Sequence, residues 1–143
     1  MYARIDLSKT NYTKMDSYKF ITMPNIHELN TIYNRYCTYK KFKSVMPIFD
    51  SEYTDPSNQV IGYYEGDILI AFSLIKIYDT ENVEAIQFAW NYEKPKLRLG
   101  IRSLENECAI YKSMGFKYLY LGGADEYKSN IDGFEVLGLL VSP

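Results

Sequence analysis

The fold is decided by residues 88–122, which read FAWNYEKPKLRLGIRSLENECAIYKSMGFKYLYLG. Within this stretch, apolar residues recur at steps of four, three, four and three: Leu97, Ile101, Leu104, Cys108 and Tyr111. This period predicts an amphipathic helix of about four turns. Gly115 is expected to end the helix, and the alternation over residues 117–121 predicts a strand directly after it.

Three further strands are predicted upstream of this helix. Residues 59–64 and 68–78 flank Glu65-Gly66-Asp67, which reads as a hairpin turn, and a second turn at residues 79–82 leads into a strand over 83–90. Short turns join strands in antiparallel fashion, so these three strands predict a meander. The third strand, the long helix and the following strand form a crossover unit, which is normally right-handed.

The N-terminal half predicts one more strand and one more long helix. Residues 18–23 alternate weakly, as in a strand, and Pro24 suits the first turn of a helix. A second short helix is expected within residues 39–46, a loop over 50–58, and a last strand within 133–141. The predicted fold is an α/β (α+β) domain, with a mixed, mostly antiparallel sheet and helices on both faces. No linker or repeat divides the chain, so a single domain over residues 1–143 is expected.

Composition excludes several classes of protein and site. Hydrophobic residues make up 47% and charged residues 24%, as in a globular protein, and the formal net charge of −2 gives no reason to expect a nucleic-acid partner. One histidine and two unpaired cysteines predict no metal site. The longest apolar run is too short to span a bilayer and the N-terminus lacks a secretory pattern, so a cytoplasmic protein without membrane contact is expected.

The most favourable place for chemistry is the turn around Gly100, where a loop becomes a helix. The first N–H groups of a helix have no internal partners, and the helix dipole puts partial positive charge there. Gly100 has no side chain to block an approaching group, and Lys96, Arg98 and Arg102 add positive charge. These features predict an anion site suited to phosphate or pyrophosphate. A glycine and basic residues at the start of a helix are also common in proteins that bind nothing.

Residues 88–122 also resemble the core of the GNAT acyltransferase superfamily. The matching pieces are Leu99-Gly100 at the helix start, Met114-Gly115-Phe116 at its end and residues 118–122 in the next strand. Residues 127–129 and 133–135 resemble elements that follow that strand. The stretch looks closest to the branch that transfers aminoacyl groups from tRNA, which includes the arginyl/leucyl-tRNA–protein transferases and the Fem-type enzymes.

This resemblance implies a GNAT-like fold and acetyl-CoA, or another acyl-CoA, as cofactor. The family cradles the coenzyme A pyrophosphate with a Gln/Arg-x-x-Gly-x-Gly/Ala loop, in which Gly100 matches here. Leu97 stands where Gln or Arg is expected, and Arg102 where Gly or Ala is expected. The implied cofactor-binding residues are Phe88, Ala89, Trp90, Lys96, Arg98, Leu99, Gly100, Ile101 and Arg102.

The resemblance also implies a catalytic pair. Glu84 is the candidate base by its position on the fourth strand of the family fold, and Tyr127 is the candidate acid. Backbone N–H groups near residues 89–91 are expected to polarise the acyl carbonyl. Glu84 also fits a solvent-facing strand residue, Tyr127 a packing residue, and Trp90 either the core or an acyl pocket.

Three functions remain open at this point. The first is transfer of an acyl group, most simply acetyl, to a small-molecule or peptide amine. The second is transfer from aminoacyl-tRNA, with a basic surface that joins residues 94–102 to Lys128. The third is a degenerate, non-catalytic domain used in binding or assembly. Because the tail after Gly123 is short for the superfamily, the last hairpin is expected to be missing or completed by a second subunit in a homodimer.

Overall fold

The computed structural model describes residues 2–40, 48, 50–91, 99–121 and 126–138 of the chain. In this part seven strands form one sheet: β1 Tyr2–Asp6, β2 Tyr18–Ile21, β3 Asn58–Glu65, β4 Ile68–Ile77, β5 Asn82–Trp90, β6 Tyr118–Leu121 and β7 Phe134–Gly138. The helices are α1 Ile26–Lys40, α2 Asp50–Thr54 and α3 Leu99–Ser113, with 3-10 turns at Leu7–Lys9 and Glu126–Asn130.

The strands lie in the order β2-β3-β4-β5-β6-β1-β7. Among the strand pairs that the structure describes, β5–β6 is parallel and the others are antiparallel. The predicted meander is confirmed as β3-β4-β5, with its first turn at Gly66. The mixed, mostly antiparallel sheet with helices on both faces is likewise confirmed.

One face of the sheet is covered by α1 and α2. The residues of this α1-side core are Leu29, Ile32, Tyr33 and Cys37 of α1, Tyr53 of α2, and Val60, Phe72, Leu74 and Ala89 of the sheet. The buried residues of α1 therefore form one stripe that faces the strands, because residues three and four apart share one side of a helix.

The other face is covered by α3, which connects β5 to β6. Leu104, Cys108 and Tyr111 are buried against Ala71, Ile75, Val83, Leu119 and other residues of this α3-side core. The helix ends where predicted, since Gly115 N donates to Lys112 O at 3.0 Å and Phe116 N to Tyr111 O at 3.0 Å. Cys108 is fully buried and serves as a small apolar residue.

The N-terminal strand β1 is the element that sequence analysis missed. It lies between β6 and β7, with Ile5 opposite Leu119 on one side and Phe134 on the other. Gly133 makes this possible, because Asp6 N donates to Gly133 O at 2.9 Å and a Cβ on Gly133 would lie 2.4 Å from Asp6 O. The chain's own N-terminal strand thus occupies the position beside β6, with the single strand β7 next to it, and the expected homodimer stays a prediction.

A second correction concerns residues 50–54, which form helix α2 where a loop was predicted. Tyr53 is 3% exposed and packs edge-on against Phe72, with ring centroids 5.9 Å apart. This tertiary contact outweighs the weak local preference of five residues, and the acidic Asp50 and Glu52 suit a helix start. A short helix was also predicted within residues 39–46. Residues 39 and 40 belong to the end of α1, and residues 41–46 lie outside the described residues.

Candidate functional site

The candidate site lies beside β5, beyond the pairs that β5 forms with β6 in the described residues, and we call this place the gap. The two strands pair in parallel from Asn82 and Tyr118 to Ala85 and Leu121. β5 then continues for five more residues, to Trp90, paired with β4 on its other edge. Within the described residues, the β5–β6 pairs end at Ala85 and Leu121.

A β-bulge lies in β5 directly after its described pairs with β6. Ile75 pairs with Ala85 and Leu74 with Gln87, so Ile86 is an extra residue in β5. A bulge bends its strand and increases the local twist. It therefore changes the course of β5 at Ile86.

The sheet register determines which backbone groups face the gap. Asn91 N donates to Ile70 O at 2.8 Å, so by alternation the N–H groups of Ala89 and Asn91 point toward β4. Those of Phe88 and Trp90 point toward the gap. The Phe88 carbonyl, which faces the same way, accepts from Gln87 Nε2 at 2.7 Å. Within the expected range 89–91, only the N–H of Trp90 has this direction, because those of Ala89 and Asn91 point toward β4.

The side chains of β5 near the gap are mostly committed to packing. Ala89 is fully buried on the α1 side, and Trp90 is 7% exposed in the α3-side core. Phe88 is half-buried and meets Tyr36 edge-on, with centroids 6.5 Å apart. The side chains of Ala89 and Trp90 therefore belong to the two cores.

The N-terminus of α3 begins at Leu99, as predicted to within two residues. Leu99 is 2% exposed and Ile101 is half-buried in the α3-side core, whereas Arg102 is exposed. Ser103 Oγ donates to Gly100 O at 3.0 Å. Of the other residues predicted for this turn, Lys96 and Arg98 lie outside the described residues, as does Leu97.

Of the two predicted catalytic residues, the structure describes the side chain of Glu84 but not that of Tyr127. Glu84 lies on the face opposite Val83 and Ala85, and its carboxylate accepts from the Tyr78 hydroxyl at 3.3 Å. Four residues of strand put it roughly 13 Å from Phe88. Tyr127 belongs to the 3-10 turn Glu126–Asn130, but its side chain lies outside the described part of the chain.

A buried polar group that sequence analysis missed lies under α3. Glu107 Oε2 accepts from the Tyr63 hydroxyl at 2.6 Å and from Ser73 Oγ at 2.7 Å. Asn106 Nδ2 donates to the Tyr63 hydroxyl at 3.2 Å, and Asn106 Oδ1 accepts from Met15 N at 2.6 Å. We call Glu107, Tyr63, Ser73 and Asn106 the Glu107 cluster. Its available signal was Ser73, a hydroxyl that interrupts the most apolar run of the sequence.

Burial dominates the electrostatics of the Glu107 cluster. It raises the pKa of Glu107 to about 7, against the opposing effects of the Tyr63 and Ser73 hydrogen bonds and the Lys128 charge. Burial and the neighbouring Glu107 hold the pKa of Tyr63 well above its ordinary value. Glu107 is therefore the member of this cluster that changes charge near neutral pH.

The described residues contain neither a membrane-spanning helix nor a metal-binding cluster. No described helix has the length and apolar character needed to cross a membrane. Within the same ranges, no three His, Cys, Asp or Glu side chains come together in a way that would hold a metal ion.

Comparison with known proteins gives structural similarity without sequence similarity. No protein-family model and no curated protein matches the chain. A putative GNAT-family acetyltransferase from Novosphingobium aromaticivorans has a TM-score of 0.66 at 15% identity, over 94% of this chain and 58% of that one. L-PGS from Bacillus licheniformis has a TM-score of 0.63 at 17% identity, over 86% of this chain and 46% of that one.

A third structure, a GNAT-family acetyltransferase from Elizabethkingia anophelis with acetyl-CoA bound, has a TM-score of 0.53 at 15% identity and covers 80% of this chain and 71% of that one. The chain spans 58% and 46% of the lengths of the first two structures. At these identities the likeness concerns the fold, which includes the parallel β5–β6 pair and the crossover helix α3. The chain therefore has the fold of the GNAT acetyltransferases.

Proposed function

We propose that this chain is an acyltransferase that moves an acyl group, most simply acetyl, from acyl-CoA to an amine. The observation that carries the proposal is the backbone N–H of Phe88, which the register with β4 directs into the gap beside β5. A GNAT-fold structure with acetyl-CoA bound supports this cofactor for the same fold. The acceptor is a small-molecule or peptide amine.

The N–H of Phe88 has the chemistry needed to polarise an acyl carbonyl. A thioester oxygen placed against it receives a hydrogen bond that strengthens as negative charge develops in the transition state. The Phe88 carbonyl oxygen already accepts a hydrogen bond from the Gln87 side chain. This bond reduces the repulsion between that oxygen and an incoming thioester oxygen. The amine nitrogen then attacks the carbonyl carbon, the C–S bond breaks, and the thiolate takes up a proton.

The first turn of α3 has the chemistry needed to hold the pyrophosphate. Its N–H groups lack partners within the helix and add to the partial positive charge of the helix dipole. Gly100 allows close approach, while Lys96, Arg98 and Arg102 supply charge for phosphate oxygens. An exposed Arg102 is placed to pair with phosphate without filling the α3-side core.

Proton transfer is assigned to Glu84 and Tyr127. Glu84 would act through intervening water, because roughly 13 Å of strand separates it from Phe88. Tyr127 would protonate the leaving thiolate. Both assignments remain proposals.

Binding of acetyl-CoA tests the proposed function. At a concentration 100 times its Kd, a ligand that binds only the folded state stabilises it by about 2.7 kcal/mol, which thermal shift detects. Gly100→Leu is expected to abolish the shift without lowering the melting temperature of the free protein, since leucine favours a helix more than glycine. Ser113→Leu, at the exposed far end of the same helix, is the matched control and should retain binding. No stabilisation at millimolar acetyl-CoA would contradict the proposal.

A second candidate function is aminoacyl transfer from tRNA, which the resemblance of residues 88–122 to that branch of the superfamily implies. It requires a continuous basic surface from residues 94–102 to Lys128 and tRNA binding that weakens steeply with salt. Filter binding of aminoacylated tRNA at 50 and 200 mM salt distinguishes the two functions. If the domain binds neither acyl-CoA nor tRNA, both transferase functions are excluded. The third function, binding or assembly without catalysis, is then the one that the result supports.

A further inference from the structure

The Glu107 cluster lies at the same level of the sheet as the candidate site. Ser73, which bonds Glu107, is the cross-strand partner of Phe88. Directly opposed residues of an antiparallel pair have Cβ atoms about 5 Å apart. Glu107 is thus tied to the strand residue adjacent to the proposed carbonyl-polarising group.

The same carboxylate fixes the position of α3. Glu107 follows Gly100 by seven residues, which is about two helical turns, or about 10 Å along one side of the helix. It bonds Tyr63 of β3 and Ser73 of β4, while Tyr63 also lies 3.2 Å from Ser103 O of α3. The Tyr63 hydroxyl, the Ser73 hydroxyl and the Glu107 carboxylate therefore connect α3 to two strands.

We propose that Glu107 is a positioning residue for the acyl donor, and that through Ser73 and Tyr63 it holds the first turn of α3 at a fixed distance from the N–H of Phe88. This role rests on the proposed function. A donor that bridges both places is bound well only when their separation is maintained. Glu107 itself is 3% exposed and does not touch the donor.

The ionised form of Glu107 makes these contacts most strongly, because hydrogen bonds to an ionised acceptor are stronger than those to a neutral one. A carboxylate only accepts hydrogen bonds, and both hydroxyls are in place to donate to the same oxygen. The titratable groups around it are Tyr63 on β3, Tyr111 and Cys108 on α3, and Lys128 in the second 3-10 turn. Burial raises the pKa of Tyr63, Tyr111 and Cys108, so these three stay neutral where Glu107 titrates.

The test compares the wild type with Glu107→Gln, which has the shape of the protonated form at every pH. Acetyl-CoA affinity is measured by calorimetry at pH 6, 7 and 8, and Trp90 emission is followed over the same range. We expect the wild type to bind about five- to tenfold more tightly than Glu107→Gln at pH 8, a usual size for coupling between sites, and equally at pH 6. The emission of Trp90, which is part of the α3-side core, should titrate only in the wild type.

Two further variants keep the test decisive. Ile32→Val, in the α1-side core, is a mild destabilisation on the opposite face and should leave affinity and its pH dependence unchanged. Ser73→Ala keeps Glu107 but removes one anchor, so it carries the test if Glu107→Gln fails to fold, and we expect weaker binding at pH 8. Equal affinity of wild type and Glu107→Gln at pH 8 overturns this role alone. A wild type that binds no acetyl-CoA overturns the proposed function, and this role with it.

Discussion

Replacing Glu107 with glutamine should change how the stability of the fold depends on pH. Burial raises the pKa of Glu107 from 4.5 in the unfolded chain to about 7 in the fold. A raised pKa means that the folded state disfavours the charged form. The stability is therefore full below pH 4.5 and falls as the pH rises toward 7, above which the loss is complete.

The size of this effect follows from the two pKa values. The interval from 4.5 to about 7, at about 1.4 kcal/mol per pH unit, corresponds to about 3 kcal/mol of unfolding free energy. Glutamine does not ionise, so Glu107→Gln should lack this loss. The difference in stability between variant and wild type should shift by about 2 to 3 kcal/mol in favour of the variant between pH 5 and pH 8.

Urea denaturation at pH 5, 6, 7 and 8, followed by circular dichroism, measures this difference. The absolute stability of the variant includes the exchanged hydrogen bonds to Tyr63 and Ser73, so only its pH-dependent part is diagnostic. Tyr63→Phe is the control, because it keeps the carboxylate and should retain a falling profile. Parallel profiles for wild type and Glu107→Gln would refute the reasoning, since they would mean that Glu107 does not titrate in this range.

Three predictions concern the N-terminal strand and its neighbours. Gly133→Ala should cost about 3 kcal/mol or more, because φ is +78° and the new Cβ would lie 2.4 Å from Asp6 O, and urea titration against Gly66→Ala measures it. Gly66 also has a positive φ, but nothing lies within 4 Å of an added Cβ, so about 1 kcal/mol is expected there. Ile5→Ala should cost about 2 to 5 kcal/mol, since Ile5 is fully buried, and an unchanged melting temperature would show that β1 does not pair as described. Arg4→Met should cost about 1 kcal/mol or less at low salt, because its ion pair is partly exposed, and a larger loss in denaturation would contradict this view.

Much of the fold could be predicted because apolar residues repeat with the period of a helix or of a strand. The stripe from Leu104 to Tyr111 and the alternation of residues 117–121 each determine an element from neighbouring residues alone. Helix α2 could not be read in this way. Its five residues carry little intrinsic preference, and the burial of Tyr53 against Phe72 stabilises it.

The elements beside the candidate site could be predicted from the sequence, whereas the direction of their backbone N–H groups could not. The start of α3 at Leu99-Gly100 and the last residues of β5 were expected from sequence. That Phe88 and Trp90, rather than Asn91, direct their N–H groups to the gap depends on the bulge at Ile86 and on the register with β4. A register is a relation between two strands, so no single strand's sequence reveals it.

The sequence by itself determined the order of most elements, the crossover through α3 and the position of the turn around Gly100. These depend on period and turn chemistry, which act over a few residues. The tertiary structure alone decided that β1 fills the place beside β6 and that Glu107 meets Tyr63 and Ser73. Both are contacts between residues 34 or more positions apart, created when burial of the core brings distant segments together.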